Sequence, residues 1–141
     1  MILIDSNVLI DVFSRDPVWM VWSRRAIGEY SDRDQLVVNH IVIAEVAPRF
    51  AQLRNFLDWI GTFDVGLAEL DGDAAFCAGV AFVEFRRRRR SATEPAKSII
   101  ADFLIGGQAQ VLGAAILTRD PRFYRTYFPS VPLITPGKAE T

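Results

Sequence analysis

The fold is decided at the start of the chain, in residues 1–11, MILIDSNVLID. The consecutive apolar side chains of residues 2–4 predict a short buried strand. Asp5 or Ser6 can then cap a helix over about residues 7–13. A strand that passes almost directly into a helix is typical of a chain in which strands and helices alternate.

The rest of the chain continues this alternation. Short apolar runs predict four further strands, at residues 36–38, 63–67, 115–117 and 133–134, the last of them at an edge. Helical patterns lie between them, at about residues 16–30, 41–50 (bent or broken by Pro48), 53–60, 71–88 and 98–112, with a loop around Pro95 at residues 91–97 and a short helical turn capped by Asp120-Pro121. This order predicts an α/β fold, a three-layer sandwich whose central, mostly parallel sheet is flanked by helices. Residues 1–135 are expected to form a single domain, and residues 136–141 a polar tail.

Composition excludes several classes of protein. Half of the 141 residues are hydrophobic, which is enough for a packed core and too many for a disordered chain. We find no apolar run of the roughly 18–20 residues that a membrane helix needs and no signal-peptide pattern, so we expect a cytoplasmic protein without a membrane partner. The single cysteine, Cys77, excludes an internal disulfide and is expected in the core. The mean hydropathy of +0.17 is high for a small domain and predicts a surface that a partner covers.

Four carboxylates stand inside or at the ends of apolar runs, where an isolated charge is costly. They are Asp5, Glu45, Asp102 and Asp120. Asp5 and Asp120 follow predicted strands, and binding sites in parallel sheets lie at the carboxyl ends of the strands. Glu45 and Asp102 lie on predicted helices that can lean over the same edge. Because Mg²⁺ and Mn²⁺ prefer oxygen ligands, the pattern predicts one acidic metal-binding cluster.

Each acid also has an ordinary structural explanation. Asp5 and Asp120 could cap helices, and Glu45 could face solvent. Asp102 could lie at a helix N-terminus, where a negative charge is favourable. All four explanations would have to hold together for the site to be absent. Asp11 is expected to make a surface ion pair rather than to join the site.

A block of five arginines interrupts a chain whose net charge is −1. The block consists of Arg86, Arg87, Arg88, Arg89 and Arg90. Arginines at a helix end can simply be solvated and complement the helix dipole. They can also contact RNA phosphates or a protein partner, and we favour these two roles.

Two further features have competing explanations. His40 is the only histidine, which excludes a two-histidine ribonuclease mechanism, and we expect it to make a structural hydrogen bond. Residues 18–22 are apolar on every side of their predicted helix, so one core face cannot bury them all. Trp19 and Trp22 can therefore belong to the core or to an interface.

Four motifs surround the acids. They are a strand ending in Asp before a small residue and a helix (residues 2–11), a Glu within an apolar helix (44–46), an Asp before an apolar helix rich in small residues (101–109), and a strand ending Thr-x-Asp before an aromatic residue (117–123). Together they resemble the signature of PIN-domain ribonucleases, and specifically of VapC-type toxins from bacterial toxin–antitoxin pairs. The resemblance covers nearly the whole chain. Gly106 and Gly107 depart from it, because the family favours alanine there, and they can permit close helix packing at up to ~1 kcal/mol each.

The resemblance implies a PIN fold and a metal-dependent endoribonuclease toxin. By this resemblance Asp5, Glu45 and Asp102 are metal ligands, Asp120 completes the catalytic cluster, and Asn7 and Thr118 orient carboxylates or water. Mg²⁺ is the expected cofactor, and Mn²⁺ can substitute. The expected partners are an RNA substrate, a VapB-like antitoxin and a second copy of the chain.

Other functions stay open at this point. A PIN-domain nuclease can act in RNA maturation or on DNA, and a catalytically silent PIN module can bind its antitoxin or RNA alone. A small-molecule α/β binder is disfavoured, because the chain has neither a G-x-G-x-x-G turn nor a Walker loop.

Overall fold

A parallel sheet forms the centre of the molecule, in a computed structural model that describes residues 1–88 and 99–137. Its strands are β1 (Ile2–Ile4), β2 (Leu36–Val38), β3 (Val65–Leu67), β4 (Ala115–Leu117) and β5 (Leu133–Ile134). They are ordered β3-β2-β1-β4-β5, and each neighbouring pair is parallel. The predicted α/β class and the predicted edge position of residues 133–134 are confirmed. The sheet is parallel throughout these strands, where a mostly parallel sheet was expected.

Helices connect and cover the strands. They are α1 (Ser6–Phe13), α2 (Met20–Ser31), α3 (His40–Val46), α4 (Leu53–Gly61), α5 (Gly72–Arg88), α6 (Ile99–Leu112) and α7 (Arg122–Tyr127), with a 3₁₀ turn at Ala47–Arg49. Every residue of β1 and β2 is buried, as expected of central parallel strands that helices cover on both faces. Among the helices that the structure describes, none combines the length and the apolar character needed to cross a membrane.

Two helix boundaries differ from those predicted. The helix expected from Asp16 begins at Met20, and residues 17–19 form a turn before it. Asp16 Oδ1 accepts the backbone N–H groups of Val18 and Trp19, both at 2.8 Å, as a helix cap does. The helix predicted to residue 50 ends at Val46 and the chain continues as the 3₁₀ turn, so of the two predicted effects of Pro48, bending or breaking, the structure has the break. The predicted loop around Pro95, together with Arg89 and Arg90, lies outside the described residues.

The two consecutive glycines of α6 lie where the helix meets its neighbours. A Cβ atom on Gly107 would lie 2.8 Å from the backbone oxygen of Ala74 and from the backbone nitrogen of Ala78. A Cβ atom on Gly106 would overlap the ring of Phe128. The expected close helix packing is confirmed, and it brings α6, which carries Asp102, tightly against α5.

Candidate active site

Asp5 forms the floor of a polar site at the carboxyl end of the sheet. Its backbone N–H donates to the Leu117 carbonyl at 2.9 Å, which places it beside Thr118 at the end of β4. The Oδ2 atom of Asp5 accepts three hydrogen bonds, from Thr118 Oγ1 at 2.9 Å, from the Tyr124 hydroxyl at 3.0 Å and from Asn7 Nδ2 at 3.3 Å. Within the described chain the Asp5 side chain makes no capping hydrogen bond to α1, so the capping explanation is wrong.

Ser6 connects the floor to α3. Its Oγ atom lies 3.0 Å from Glu45 Oε1 and 3.5 Å from Asp5 Oδ1. The position of α3 follows from Asn39, a buried residue at the end of β2, whose Oδ1 atom accepts the N–H groups of Ile41 and Val42 and caps the helix. Glu45 is therefore half-buried and directed toward the sheet edge, which contradicts the expectation that it could simply face solvent.

Asp102 and Asp120 approach the same place from α6 and from the end of β4. Asp102 is half-buried in the first turn of α6, and Asp120 is exposed. Burial and, after it, the negative charges of Asp5, Glu45 and Asp120 together raise the pKa of Asp102 to about 7. In the described residues Asp120 makes no side-chain cap on α7, so its capping explanation is also wrong. The structure thus brings all four predicted acids together.

The pKa values of Asp5, Glu45 and Tyr124 are also raised. Burial raises the pKa of Asp5, although hydrogen bonds from Thr118, Tyr124 and Ser6 oppose this rise. Burial, and then the nearby charge of Asp5, raise the pKa of Glu45, while the Ser6 hydrogen bond lowers it. The pKa of Tyr124 is raised well above its ordinary value, first by burial and then by the charges of Asp5 and Asp102. Tyr124 is therefore a neutral hydrogen-bond donor at physiological pH.

The cluster fits a hard divalent cation by the chemistry of its donors. Carboxylate oxygens are the ligands that Mg²⁺ and Mn²⁺ prefer. After burial, the charges of Asp5, Glu45 and Asp120 contribute to the raised pKa of Asp102, and the charge of Asp5 contributes to that of Glu45, so these acids lie close enough for their charges to interact. Among the residues that the structure describes, no group of three or more acidic, histidine or cysteine side chains has the spacing of a ready-made metal site. Ionised carboxylates repel one another. Without a cation between them, the acids of this cluster are therefore expected to lie farther apart than the ligands of a bound metal.

Tyr124 is the site residue that the sequence analysis missed. It is 1% exposed, and its ring packs near Phe123 with a centroid separation of 5.6 Å. The only sequence signal was its position in the aromatic stretch that follows Asp120, which also contains Phe123 and Tyr127. That signal did not distinguish a core aromatic residue from a hydrogen-bond donor to Asp5.

Asp11 makes the predicted ion pair, but not at the surface. Its Oδ2 atom lies 2.8 Å from Arg119 Nε and accepts a hydrogen bond from Ser23 Oγ at 3.0 Å. Its side chain is 2% exposed, so this is a buried charge with two partners. The expectation of a surface ion pair is therefore wrong as to its location.

Three residues outside the cluster have simple roles. His40 Nδ1 accepts a hydrogen bond from the backbone N–H of Leu70 at 3.4 Å, so the expected structural hydrogen bond is confirmed. Cys77 is half-buried and packs against the core. Trp19 and Trp22 are also half-buried, while Val18 and Val21 beside them are 72% and 70% exposed.

The described arginines of the basic block are exposed at the end of α5. Arg87 and Arg88 lie 3.7 Å and 3.0 Å from Glu84 carboxylate oxygens, and the guanidinium group of Arg88 also lies over the ring of Tyr127. In the described part of the chain Arg86 makes no ion pair.

Comparison with known proteins identifies the family and the fold of the chain. The family model for the PIN domain matches residues 2–129. No curated protein matches the sequence. Similar solved structures include VapBC2 from Rickettsia felis bound to a DNA fragment from its promoter, with a TM-score of 0.69, 15% identity and coverage of 96% of this chain and 98% of that one.

Two further structures have the same fold. One is a toxin–antitoxin complex from Klebsiella pneumoniae, with a TM-score of 0.67, 20% identity and coverage of 96% of this chain and 98% of that one. The other is VapBC-1 from nontypeable Haemophilus influenzae, with a TM-score of 0.65, 18% identity and the same coverage of 96% and 98%. At these identities the likeness demonstrates a shared fold.

Proposed function

The chain belongs to the PIN-domain family, and from this premise we propose that it is a VapC-type toxin, a metal-dependent endoribonuclease that a cognate VapB-like antitoxin neutralises. The observation that carries the proposal is the convergence of four carboxylates from separate elements, with the pKa of Asp102 raised to about 7. A carboxylate cluster built from a strand end, two helices and a second strand end has no evident structural purpose, because it destabilises each charge that it contains.

The proposed roles follow the position of each side chain. Asp5, Glu45 and Asp102 bind the metal directly or through water, and Asp120 completes the cluster at its exposed edge. Thr118 and Asn7 hold Asp5 in one orientation through their hydrogen bonds to Oδ2. When bound, Mg²⁺ or Mn²⁺ supplies an acidified water and neutralises negative charge on the phosphate. We expect hydrolysis to leave 5′-phosphate and 3′-hydroxyl ends.

Exposed apolar side chains support a protein partner. Phe76, Val80 and Val83 lie along one face of α5 and are 76%, 59% and 57% exposed, and Ile100 of α6 is 58% exposed. Exposed apolar patches of this kind mark protein interaction sites. We assign the partners as a second copy of the chain and the antitoxin. The similar structures from Rickettsia felis and Klebsiella pneumoniae are a VapBC2 complex and a toxin–antitoxin complex, and this supports an antitoxin as one of the two partners.

The proposed substrate is RNA, and the proposed place of action is the cytoplasm. The exposed arginines at the end of α5, Arg86 to Arg88, offer positive charge to an RNA backbone. The single cysteine is in keeping with a reducing compartment.

The test is cleavage of total cellular RNA by the wild-type protein and by Asp102→Asn, with Mg²⁺, with Mn²⁺ and with EDTA. A matched control is Asp58→Asn, which changes an exposed acid on α4. We expect discrete cleavage that needs metal, survives Asp58→Asn and is lost in Asp102→Asn. End-mapping then separates a toxin with a few sites from an enzyme of RNA maturation. Absence of cleavage by a folded, metal-bound wild-type protein would reject the nuclease in favour of a binding-only module.

A further inference from the structure

We propose that Asp11 and Arg119 are a positioning pair, whose ion pair holds residues 118–120 against α1 and thereby sets where Thr118 and Asp120 lie in the site. The kinetic consequence of this proposal rests on the proposed nuclease function. Its structural consequence does not.

The carboxylate of the pair is buried, and the Arg119 side chain is 32% exposed. Arg119 Nε and Asp11 Oδ2 are 2.8 Å apart, and Ser23 of α2 donates to the same oxygen at 3.0 Å. Asp11 is 1% exposed, so its negative charge would be costly without these two donors. One carboxylate on α1 therefore connects α2 to the segment that follows β4.

That segment is held at each of its three residues. Thr118 Oγ1 donates to Asp5 Oδ2 at 2.9 Å. The backbone N–H of Arg119 donates to Asn7 Oδ1 at 3.4 Å, and the N–H of Asp120 donates to Thr118 Oγ1 at 3.1 Å. Arg119 lies between the residue that orients Asp5 and the acid at the mouth of the site. Movement of its side chain would move both neighbours through the backbone.

Two contacts fix the position of the Arg119 side chain. Its Nε atom donates to Asp11, and its guanidinium carbon lies over the Trp19 ring, 5.7 Å from the centroid. The Nη groups keep N–H donors that could contact a phosphate, but the place of the guanidinium group is set by Asp11 and Trp19. The geometry favours a role through its neighbours over a role in direct contact with substrate.

The structural arm of the test is amide hydrogen exchange in Asp11→Asn and Arg119→Met. In both variants the backbone amides of Arg119 and Asp120 should exchange hydrogen about tenfold faster than in the wild-type protein. The exchange rates of the amides in β1 and β2 should be unchanged. Unchanged exchange at Arg119 and Asp120 in both variants would overturn the proposal, whether or not the protein cleaves RNA.

The kinetic arm uses the same two variants and two further single variants. Arg119→Lys keeps the positive charge, and Arg25→Met is the control, because Arg25 is an exposed arginine of α2. Asp11→Asn and Arg119→Met should lower kcat by about 10–100-fold per folded molecule with an unchanged KM, because a small misplacement of reacting groups has effects of this size. Arg119→Lys should recover most of the loss, and Arg25→Met should behave as wild type.

Two kinetic results would contradict the proposal that Asp11 and Arg119 position the site. A raised KM in Arg119→Met with normal kinetics in Asp11→Asn would assign Arg119 to the substrate. Wild-type kcat per folded molecule in both variants would leave the pair a purely structural role. If the wild-type protein cleaves nothing, the proposed function fails, and hydrogen exchange alone decides the pair.

Discussion

The Tyr124 hydroxyl donates a hydrogen bond to Asp5 Oδ2 at 3.0 Å, joining residues that lie 119 positions apart in the chain. Tyr124 is on α7, immediately after the segment that carries Thr118 and Asp120. Its hydrogen bond lowers the pKa of Asp5 and so partly offsets the effect of burial, which raises it. Tyr124 therefore favours the ionised form of the carboxylate that we expect to bind metal.

Replacement of Tyr124 by Phe should reduce RNA cleavage more at low pH than at high pH. Without its hydroxyl donor, Asp5 should titrate at a higher pH, so the acidic limb of the activity profile should move upward. A pH–rate profile at saturating metal measures this shift. Tyr127→Phe is the matched control, because Tyr127 is a half-buried tyrosine of the same helix. Equal losses across the whole pH range would assign Tyr124 a packing role only.

Asp102→Asn should stabilise the metal-free protein at high pH. Burial and the neighbouring acids raise the pKa of Asp102 from 3.8 to about 7 in the folded state. The stability associated with its protonated form is complete below about pH 4 and is lost as the pH rises through 7. An asparagine cannot ionise, so the variant should gain roughly 2–4 kcal/mol over the wild-type protein at pH 8 and almost nothing near pH 4.

Urea unfolding in EDTA at several pH values measures this difference. The same experiment on Asp58→Asn controls for general loss of a negative charge, since Asp58 is exposed. Adding Mg²⁺ should raise the stability of the wild-type protein and leave Asp102→Asn nearly unchanged. A gain in Asp102→Asn that is independent of pH would contradict the proposed electrostatic origin.

The position of the site was predictable from sequence because it follows from local patterns and one topological rule. Asp5 and Asp120 follow short apolar runs that predict buried strands, and parallel strands bring their carboxyl ends to one edge. The hydrogen bond of Tyr124 and the ion pair of the buried Asp11 with Arg119 were not predictable. Tyr124 contacts Asp5 and Arg119 contacts Asp11 across 119 and 108 positions of the chain. Such contacts depend on where the side chains point in the folded protein, which local sequence periodicity does not predict.

The start of α2 shows the same limit on a smaller scale. Asp16-Pro17 is a good helix start by local rules. In the structure the Asp16 carboxylate accepts the N–H groups of Val18 and Trp19 as a cap does, yet residues 17–19 form a turn and the helix begins at Met20. This turn also places Trp19 below the guanidinium group of Arg119. The helix thus starts later than the sequence predicts, and the turn before it carries Trp19, which contacts Arg119.

Neutralising the exposed arginines at the end of α5 should reduce the salt dependence of RNA binding. In an Asp102→Asn background, which prevents cleavage, the change of Arg86, Arg87 and Arg88 to Gln should lower the slope of log K against log salt by about 1–2. The loss should be smaller than three full contacts would give, because Arg87 and Arg88 already neighbour Glu84. Filter binding at several salt concentrations measures the slope.

The control for this experiment replaces three other exposed arginines, Arg24, Arg25 and Arg54, by Gln. That variant has the same net charge, so a general electrostatic effect would change both slopes equally. A reduced slope in the α5 variant alone would locate the RNA at α5. An unchanged slope there, with weaker binding of the antitoxin, would assign the arginines to the protein partner.

Gly107→Ala should destabilise the protein, although alanine is the better helix former. Helix propensity alone predicts a gain of up to ~1 kcal/mol. The added methyl group would lie 2.8 Å from the backbone oxygen of Ala74 and the backbone nitrogen of Ala78, and backbone atoms cannot give way as a flexible side chain can. Overpacking of this kind costs about 1–3 kcal/mol, so the net change should be a loss of stability.

Gly79→Ala is the matched control, because it lies within α5 and a Cβ atom there would meet nothing within 4 Å. It should stabilise the protein by about 0.5–1 kcal/mol. Urea unfolding of both variants compares the two effects in one protein. Changes of opposite sign in the free energy of unfolding would establish that glycine is needed at position 107 for the close approach of α5 to α6. Because Asp102 lies a little over one turn before Gly107 on α6, separation of these helices should also lower RNA cleavage in Gly107→Ala. A stabilised and fully active Gly107→Ala would show that α5 can shift without consequence for the site.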